Sequence, residues 1–430
     1  MSKDNSVFEK YESNVRSYCK KWPVEFSYAK GSFIIDNDGT KYIDFFNGAG
    51  ALNYGHNNDY IKEKLIKYLE SDAIVHSLDM YASAKKEFIE FFEEKVLYPR
   101  GLDYKLMFPG PTGTNGIEMA LKLARKVKQR SNVFAFMGAF HGMTLGSLSL
   151  TTEEFARKGA GVTLTDVTHI APPYYMDGKF DTIAYLREML KDDHSGVDKP
   201  AAIVIETVQA EGGIYVFDEK FLKDLRALCD EFDILLIVDD VQVGCSRTGT
   251  FFSFERAGIK PDIVVMSKSI GGYGLPLAVV LIKPELDLFK AAEHNGTFRG
   301  FQPAMVTAKA GLEYMLENKV EDGVKKREQI VKEYLEKNIR PLLNADQDIR
   351  GIGLIWGIDF KDGVFARKVL DTCFEKGLII ELAGRSDSVL KIMPSLVIEE
   401  DLLLQGLNII KDSVIYNLEL EKNNKVVRKK

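Results

Sequence analysis

Three polar residues in the middle of the chain could together act on a carbonyl compound. The first is Lys268, which follows an apolar run and precedes a glycine-rich turn in PDIVVMSKSIGGYGLP. A lysine amine that is partly removed from water is more often neutral, and a neutral amine can attack an aldehyde to form a Schiff base. The position therefore indicates a Schiff-base lysine, although a lysine there, taken alone, is more often a solvated side chain.

The second and third residues are Asp239 and Gln242, in the stretch ILLIVDDVQVGCSRTG. Asp239 ends an apolar run, where a carboxylate is costly unless it meets a cation. A protonated pyridine ring is such a cation, and an acid beside its nitrogen keeps it protonated. Asp239 is therefore a candidate to pair with a ring nitrogen. The alternative is a helix cap, for which the neighbouring Asp240 is the natural candidate. Gln242 could reach a hydroxyl group on the ring.

A candidate phosphate site lies at residues 109–125, PGPTGTNGIEMALKLAR, where a glycine-rich turn leads into a helix. Asn115 and Glu118 have the spacing of a capping box, which predicts Asn115 as the N-cap. Free backbone amides at a helix start bind phosphate, and Gly113 and Thr114 are the best placed to donate. An ordinary capped helix is the alternative, and the G-K-[ST] signature of a P-loop is missing.

The sequence also contains two weaker candidate site residues and one motif that resembles a nucleotide-binding fingerprint. Phe140, in FHG, could stack on a flat ligand or belong to the core. Thr297, in EHNGTFRG, could offer a hydroxyl to a phosphate or cap a helix. Residues 351–357, GIGLIWG, imitate a dinucleotide fingerprint, but they read as strand without a turn that opens a helix. Nicotinamide binding at that segment is therefore rejected.

The candidate residues lie between apolar runs that lack polar alternation, which is typical of strands buried on both faces. Helical stretches such as residues 221–232 separate several runs, so we predict an α/β fold with a mostly parallel sheet. Towards the ends of the chain we predict a hairpin at 31–46 and strands at 351–360 and 389–393, with helices at 363–376 and 399–416. The predicted central strands are residues 133–136, 201–205, 234–238, 263–266 and 277–282.

Composition restricts the class of protein. The chain has 430 residues, 45% hydrophobic and 28% charged, as in ordinary globular proteins. A net charge of −6 argues against a broad nucleic-acid surface, and the apolar runs are too short to span a membrane. Cysteine and histidine spacing predicts no metal site, and the start lacks a signal-peptide pattern, so we expect a cytoplasmic location. The basic residues 421–430 are predicted to form a solvated, frayed tail, with a polyanion contact as the alternative.

Taken together, the motifs resemble the class III aminotransferases, which are pyridoxal-phosphate enzymes of fold type I. The resemblance covers nearly the whole chain and rests on Gly55-His56, TGTNGIEMALKLAR, FHG, ETVQAEGG, VDDVQVGCSRTG, SKSIGGYGLP and GTFRG. It implies a large domain at residues 58–310 with a mostly parallel seven-stranded sheet. It also implies a small α+β domain made from residues 1–57 and 311–430.

The same resemblance implies pyridoxal 5'-phosphate as cofactor and a role for each candidate residue. Lys268 would form the Schiff base and move the proton, Asp239 would pair with the ring nitrogen, and Gln242 would contact the ring hydroxyl. The remaining implied contacts are Phe140 stacked on the ring, Gly113 and Thr114 on the phosphate, and Thr297 on the phosphate of a neighbouring subunit. Shared sites imply a homodimer or a higher homo-oligomer.

Within the class, the chain resembles the branch that acts on 2,4-diaminobutyrate and 2-oxoglutarate. The segments that carry this likeness are ESNVRSYCKKWPVEF, FFNGAGALNYGHNND, FPGPTGTNGIE, VDDVQ, SKSIGGYGLPLA and EHNGTFRG. The branch implies amino transfer between L-glutamate and aspartate 4-semialdehyde. Another ω-aminotransferase, acting on ornithine, 4-aminobutyrate or a related diamine, is the main alternative. An aminomutase and a non-catalytic cofactor binder are weaker ones.

The expected substrate-binding residues depart from the pattern of the class. Relatives that act on terminal amines pair a glutamate, here Glu211, with an arginine that binds a substrate carboxylate. This chain has Lys391 at the arginine position, and a lysine cannot make the bidentate contact. The carboxylate would therefore meet Lys391, Arg385 or Arg16, and the sequence leaves the three alternatives open.

Overall fold

The largest sheet has seven strands and lies at the centre of the molecule. The computed structural model describes residues 6–427. In sheet order the strands are Lys105–Met107, Val279–Ile282, Ile263–Met266, Leu235–Asp239, Ala202–Ile205, Val133–Phe136 and Val167–Ile170. The sheet is mostly parallel, since Val279–Ile282 alone in it runs antiparallel to both of its neighbours. The predicted fold class, with its seven-stranded and mostly parallel sheet, is confirmed.

The central strands form where they do because both of their faces are covered. In Leu235–Asp239, Leu236 and Val238 pack into one hydrophobic core. Leu235 and Ile237 pack into a second core on the opposite face of the sheet. A strand buried on both faces needs apolar residues at successive positions, which is the pattern that predicted these strands.

The predicted central strands 133–136 and 263–266 have the observed boundaries, and the other three differ from the observed ones by one or two residues. The predicted strand 234–238 is Leu235–Asp239, so its last residue is the aspartate itself. The predicted strand 277–282 begins only at Val279. Its first two residues are outside the ladder, and the carbonyl of Leu277 accepts a hydrogen bond from the Ser267 hydroxyl at 2.8 Å.

A four-stranded antiparallel sheet holds residues of the carboxyl-terminal part of the chain. Its strands, in order, are Asp348–Ile352, Ile355–Asp359, Val389–Ile392 and Glu381–Ala383. The prediction of one strand at 351–360 is wrong, because the chain turns at Gly353, whose φ is +56°, and forms a hairpin. In the register of this sheet, Lys391 is directly opposite Glu381 on one side and Gly357 on the other.

Two smaller sheets complete the β structure. The predicted hairpin at 31–46 is confirmed as the antiparallel strands Phe33–Asp36 and Lys41–Asp44. Phe26–Lys30 and Leu378–Ile379 extend it to four strands. The other small sheet is a two-stranded ribbon, Val208–Gln209 and Tyr215–Val216, and the loop between its strands carries Glu211.

The helices cover the faces of these sheets. The α-helices are Ser6–Tyr11, Tyr18–Lys21, Asn47–Gly50, Asp59–Glu70, Ser83–Phe92, Gly113–Lys128, Leu145–Leu150, Glu154–Lys158, Tyr175–Gly178, Thr182–Lys191, Glu219–Glu231, Gln302–Glu317, Val320–Asn338, Gly363–Glu375 and Glu400–Val427. Short 3-10 or π turns are Glu93–Leu97, Tyr98–Arg100, Glu255–Ala257, Lys268–Gly271, Pro284–Leu286, Thr297–Gly300, Arg340–Leu342 and Arg385–Asp387. Within residues 6–427, no helix is both long and apolar enough to cross a membrane.

The last helix is longer than the sequence predicts. Glu400–Val427 continues eleven residues past the predicted end at residue 416, as 427 − 416 = 11. The prediction of a frayed tail from residue 421 is therefore wrong as far as Val427. Residues 428–430, which complete the predicted tail, lie outside the described residues.

Candidate active site

A cavity of about 280 Å³ opens at the carboxyl ends of the parallel strands, where open α/β sheets bind their ligands. Seven of the predicted site residues line it: Gly113, Thr114, Phe140, Glu211, Asp239, Gln242 and Lys268. Its other lining residues are Thr112, His141, Gly142, Met143, Glu206, Val241 and Val243. The structure thus places sequence-distant motifs around one space.

Lys268 lies at the wall of this cavity, two residues beyond the strand Ile263–Met266. Its φ is +53°, a left-handed conformation that costs a non-glycine residue free energy and is often found at functional sites. Burial lowers the pKa of the Lys268 amine below its usual value, although the charge of Glu211 opposes that shift. A lowered pKa raises the neutral fraction of the amine, which is the form that attacks an aldehyde.

On one side of the cavity, Asp239 forms a buried ion pair with His141. Asp239 Oδ2 lies 2.6 Å from His141 Nδ1, and Asp239 Oδ1 accepts a hydrogen bond from the Val241 backbone at 3.1 Å. Burial alone would lower the pKa of His141, but Asp239 and the charge of Glu206 raise it above its ordinary value. The Nε2 atom of this imidazole is buried and finds no hydrogen-bond partner within residues 6–427.

Glu206 is the second carboxylate on this side. Its oxygens accept hydrogen bonds from the backbone amides of Phe140 at 3.0 Å and Ala210 at 3.3 Å. Burial raises the pKa of Glu206 to about 7, and His141 opposes part of that rise. The carboxyl ends of neighbouring strands therefore bring two acids and one histidine to one edge of the sheet.

Asp240 does not cap a helix, so that expectation is wrong. The residues after it form tight turns, and Asp240 Oδ2 accepts a hydrogen bond from the Ser253 backbone at 3.1 Å. Burial raises the pKa of Asp240 to about 7. Asp240 therefore holds a buried loop in place.

The glycine-rich turn starts its helix earlier than predicted. The helix is Gly113–Lys128, and the Thr112 hydroxyl caps it by accepting a hydrogen bond from the Asn115 backbone at 3.3 Å. The prediction of Asn115 as N-cap is therefore wrong. Glu118 does not take part in a capping box, because its Oε1 accepts hydrogen bonds from the Thr144 hydroxyl and from the Ser147 backbone. Gly113 and Thr114 are now the first two helical residues, a position whose amides are free to bind an anion.

Gln242 connects the two sides of the cavity. Its Nε2 donates to the carbonyl of Ala49 at 3.0 Å and to Glu211 Oε1 at 3.1 Å. Its Oε1 is buried and has no hydrogen-bond partner among the described residues. A buried amide oxygen without a donor is costly, so this atom is suited to accept from a ligand hydroxyl.

On the other side of the cavity, Lys391 lies between two glutamates. Its Nζ is 2.6 Å from Glu211 Oε1, to which it donates a hydrogen bond, and 2.6 Å from Glu381 Oε1, as an ion pair. Burial alone would raise the pKa of Glu211, but Lys391 and Lys268 lower it to about 2. Burial likewise opposes the charge of Lys391, yet the two carboxylates raise its pKa. Lys391 is thus a cation held behind Glu211.

The remaining predicted residues lie away from the cavity lining. Thr297 is exposed, and its carbonyl is 2.8 Å from His76 Nε2. Arg385 is exposed in an adjoining cavity, with its guanidinium over the ring of Tyr175. Arg16 lies 3.8 Å from Glu12. Of the three cations considered for a substrate carboxylate, Lys391 is hydrogen-bonded to Glu211, which lines the cavity.

Sequence reasoning missed four residues of the site: His141, Glu206, Glu381 and Tyr18. His141 and Glu206 follow predicted strands, so their position beyond the carboxyl end was an available signal. Glu381 is recognised only through its cross-strand register with Lys391. Tyr18 precedes the first strand, and its partial burial together with the charges of Glu381 and Glu211 raises its pKa to about 12.

Fold and cavity together define an α/β protein with a lysine, Lys268, at the wall of its cavity. The sequence model of the family described as Aminotransferase class-III matches residues 17–414, so the chain belongs to the class III aminotransferases. A curated relative from Wolinella succinogenes, named diaminobutyrate–2-oxoglutarate transaminase, is 52% identical over 408 residues and covers 95% of each chain.

Two further comparisons agree with this family. A protein of the same name from Bordetella parapertussis is 50% identical over 413 residues, which is 96% of this chain and 95% of that protein. Among solved structures, the ornithine aminotransferase of Toxoplasma gondii superposes with a TM-score of 0.83 at 25% identity. That match covers 97% of this chain and 94% of the other, which was described with partial occupancy of PLP at its active site.

Proposed function

We propose that the chain binds pyridoxal 5'-phosphate and transfers an amino group between L-glutamate and aspartate 4-semialdehyde, giving L-2,4-diaminobutyrate and 2-oxoglutarate. The observation that carries the proposal is the placement of Lys268 and Asp239 at one cavity whose wall also bears the Glu211–Lys391 pair. The curated relatives of about half-identical sequence, which bear the name of this reaction, support the choice of substrates.

The residues around the cavity fit this cofactor. Asp239 offers a carboxylate held in place by His141, which suits a protonated ring nitrogen. The unpartnered Gln242 Oε1 suits a ring hydroxyl. Gly113 and Thr114 offer free amides to a phosphate at the helix start, and Phe140 lines the wall on which a ring would stack.

When bound, pyridoxal phosphate supplies an aldehyde carbon for the amino group and a ring that accepts the electrons released at the substrate carbon. Lys268 is the residue of this chain that would hold the aldehyde and carry the proton, since its amine is at the cavity wall with a lowered pKa. Asp239 would hold the proton on the ring nitrogen, and the ion pair with His141 keeps that carboxylate oriented.

The two substrates differ in what they present beyond the reacting amine. Glutamate brings two carboxylates, whereas diaminobutyrate brings one carboxylate and a second ammonium group. Glu211 faces the cavity and is ionised, so it can meet an ammonium, and Lys391 behind it can meet a carboxylate when Glu211 moves aside. The pair thereby offers a partner for either group.

The proposal extends to the assembly, a homodimer or larger homo-oligomer whose copies share sites. The exposed apolar side chains of Leu78, Met80, Tyr81 and Phe298 support it. The segment around residue 78 packs on the turn Thr297–Gly300, as the Ser77 amide donates to the Gly300 carbonyl. A second copy of the chain over this surface would bury these side chains and bring Thr297 towards its partner's site. The cytoplasmic location and the division into two domains stay predictions.

One assay tests the proposed function. Purified protein is supplied with 2-oxoglutarate and, in turn, with L-2,4-diaminobutyrate, ornithine or 4-aminobutyrate, and glutamate formation is measured. We expect the highest kcat/KM with diaminobutyrate. Lys268→Ala should lose both turnover and the visible absorbance of bound cofactor, because no other amine replaces the Schiff-base lysine.

The matched control is Lys260→Ala, since Lys260 lies outside the cavity and donates to the Gly101 carbonyl. It should retain the wild-type rate. Transamination by Lys268→Ala would overturn the role of this lysine. Turnover of ornithine or 4-aminobutyrate with none of diaminobutyrate would overturn the substrate assignment and leave the class intact.

A further inference from the structure

Lys391 is the most completely buried cation at the cavity, and it has two acidic neighbours where one would balance its charge. Its side chain is 0% exposed, and its Nζ lies 2.6 Å from an oxygen of Glu211 and 2.6 Å from an oxygen of Glu381. A second buried carboxylate is costly unless it contributes something that the first does not. The proposed function assigns no role to Glu381.

The two carboxylates differ in access. The Glu211 side chain is 33% exposed and lines the cavity, whereas that of Glu381 is 3% exposed and lies outside the lining. Glu381 also belongs to a strand and is the direct cross-strand partner of Lys391, while Glu211 lies in a loop. Glu211 is therefore the carboxylate that can turn to a ligand, and Glu381 is the one that stays.

Turning Glu211 to a ligand has a consequence for Lys391. If a substrate ammonium takes the Glu211 carboxylate, Lys391 loses that partner while it remains fully buried. A buried ammonium left without a counter-ion is strongly unfavourable. The site can bind an ammonium on Glu211 only if another anion remains on Lys391.

We propose that Glu381 is a positioning residue that retains Lys391 when Glu211 turns to the second ammonium group of a diamine substrate. This inference rests on the proposed function, since it assumes a substrate with two amines. In this arrangement the substrate ammonium pairs with Glu211, and Lys391 pairs with Glu381. Both cations are then balanced without a change in the backbone of the strand.

The role of Glu381 is confined to substrates that carry the extra ammonium. When a substrate carboxylate takes the place of Glu211 on Lys391, the lysine keeps a new anionic partner and has no need of Glu381. Removing the Glu381 charge should therefore weaken diamine binding and should not weaken dicarboxylate binding. A residue that merely supported the fold would affect both alike.

The test compares L-2,4-diaminobutyrate with 4-aminobutyrate, which lacks only the α-ammonium, on the cofactor-loaded enzyme. In Glu381→Gln we expect KM for diaminobutyrate to rise about tenfold or more, because Lys391 is left unpaired. The KM for 2-oxoglutarate and the dissociation constant of 4-aminobutyrate should not rise by more than about twofold. Glu381→Asp, which keeps the charge, should recover part of the diamine affinity.

The matched control is Glu313→Gln, since Glu313 pairs with Lys309 away from the cavity. It should leave all three constants unchanged. Equal weakening of all three ligands in Glu381→Gln, or unchanged diaminobutyrate binding, would overturn the proposal. If wild-type protein turns over neither amine, the proposed function fails. Calorimetric dissociation constants of the two amines would then still decide the role of Glu381.

Discussion

The cavity is bordered by two clusters that each hold one basic and two acidic side chains but differ in construction. On one side His141 stands with Asp239 and Glu206, and on the other Lys391 stands with Glu211 and Glu381. Each cluster is largely buried. The two clusters differ in ionisation, because burial raises the pKa of Glu206 to about 7, whereas Lys391 and Lys268 lower that of Glu211 to about 2.

The first cluster is built from one sheet and is fixed. Asp239 ends a central strand, and Glu206 directly follows the neighbouring strand. Both accept hydrogen bonds from backbone amides. Asp239 also contacts His141 directly, and Glu206 lies close enough for its charge to act on His141. A charge held by backbone contacts cannot follow a ligand, so this side suits a cofactor that stays bound.

The second cluster joins two separate parts of the structure and can rearrange. Lys391 and Glu381 belong to adjacent strands of the antiparallel sheet, whereas Glu211 lies in the loop of the two-stranded ribbon. One of its carboxylates reaches the cavity. A charge pair that spans a loop and a sheet can exchange partners, which suits substrates that alternate in each catalytic cycle.

The largest expected effect tests whether the first cluster acts on every substrate. Asp239→Asn removes the charge that we propose to face the ring nitrogen of the cofactor, and we expect kcat to fall about 10²–10³-fold with amine and oxo-acid substrates alike. Steady-state kinetics with each substrate measures it. The neighbouring Asp240→Asn is the control, because an asparagine oxygen can still accept from the Ser253 backbone. A loss confined to one substrate would remove the distinction between the clusters.

A smaller, selective effect is expected on the second cluster. Lys391→Met removes the buried cation, and we expect KM for 2-oxoglutarate to rise about 10–100-fold with a smaller change in kcat. Arg385→Ala should change the same KM by less than about twofold, because Arg385 is exposed outside the cavity. A larger rise in this KM for Arg385→Ala would show that the substrate carboxylate binds in the adjoining cavity.

The smallest effect concerns the stability of the cofactor-free protein. Burial raises the pKa of Glu206 from 4.5 to about 7, so between these values the folded chain binds more protons than the unfolded chain. The free energy of unfolding therefore falls as pH rises through this window and stays lower above it. Glu206→Gln should remove about 1–2 kcal/mol of that fall, as measured by urea unfolding at pH 5 and pH 8. An unchanged pH slope would show that Glu206 is ionised when folded.

The sequence predicts one residue of the first cluster, Asp239, and two of the second, Glu211 and Lys391, the latter two through the family resemblance. Asp239 and Lys268 end apolar runs, and the carboxyl ends of parallel strands meet at one edge, so their proximity follows from the pattern of strands. Lys391 and Glu381 meet because of strand register in the antiparallel sheet, which no local pattern specifies. The sequence also failed to predict the hairpin within residues 351–360, because its turn depends on one glycine in an otherwise apolar stretch.

Caps were the other source of error, because several polar residues compete at each helix start. Thr112 and Asn115 are both good N-cap residues, and the spacing of Asn115 and Glu118 favours the wrong one. Glu118 instead receives hydrogen bonds from Thr144 and Ser147, which lie far along the chain. A tertiary contact of that kind overrides a local motif.

The absence of a side chain at Gly113 allows the close packing that sets the dimensions of the cavity. A Cβ atom at this position would lie 2.9 Å from a methyl group of Val241 and 3.6 Å from the Cβ of Ser267. The helix start therefore rests directly against the segments that follow Asp239 and precede Lys268. This packing holds the first amides of the helix at a set distance from Lys268, so the cavity has its dimensions before any ligand is bound.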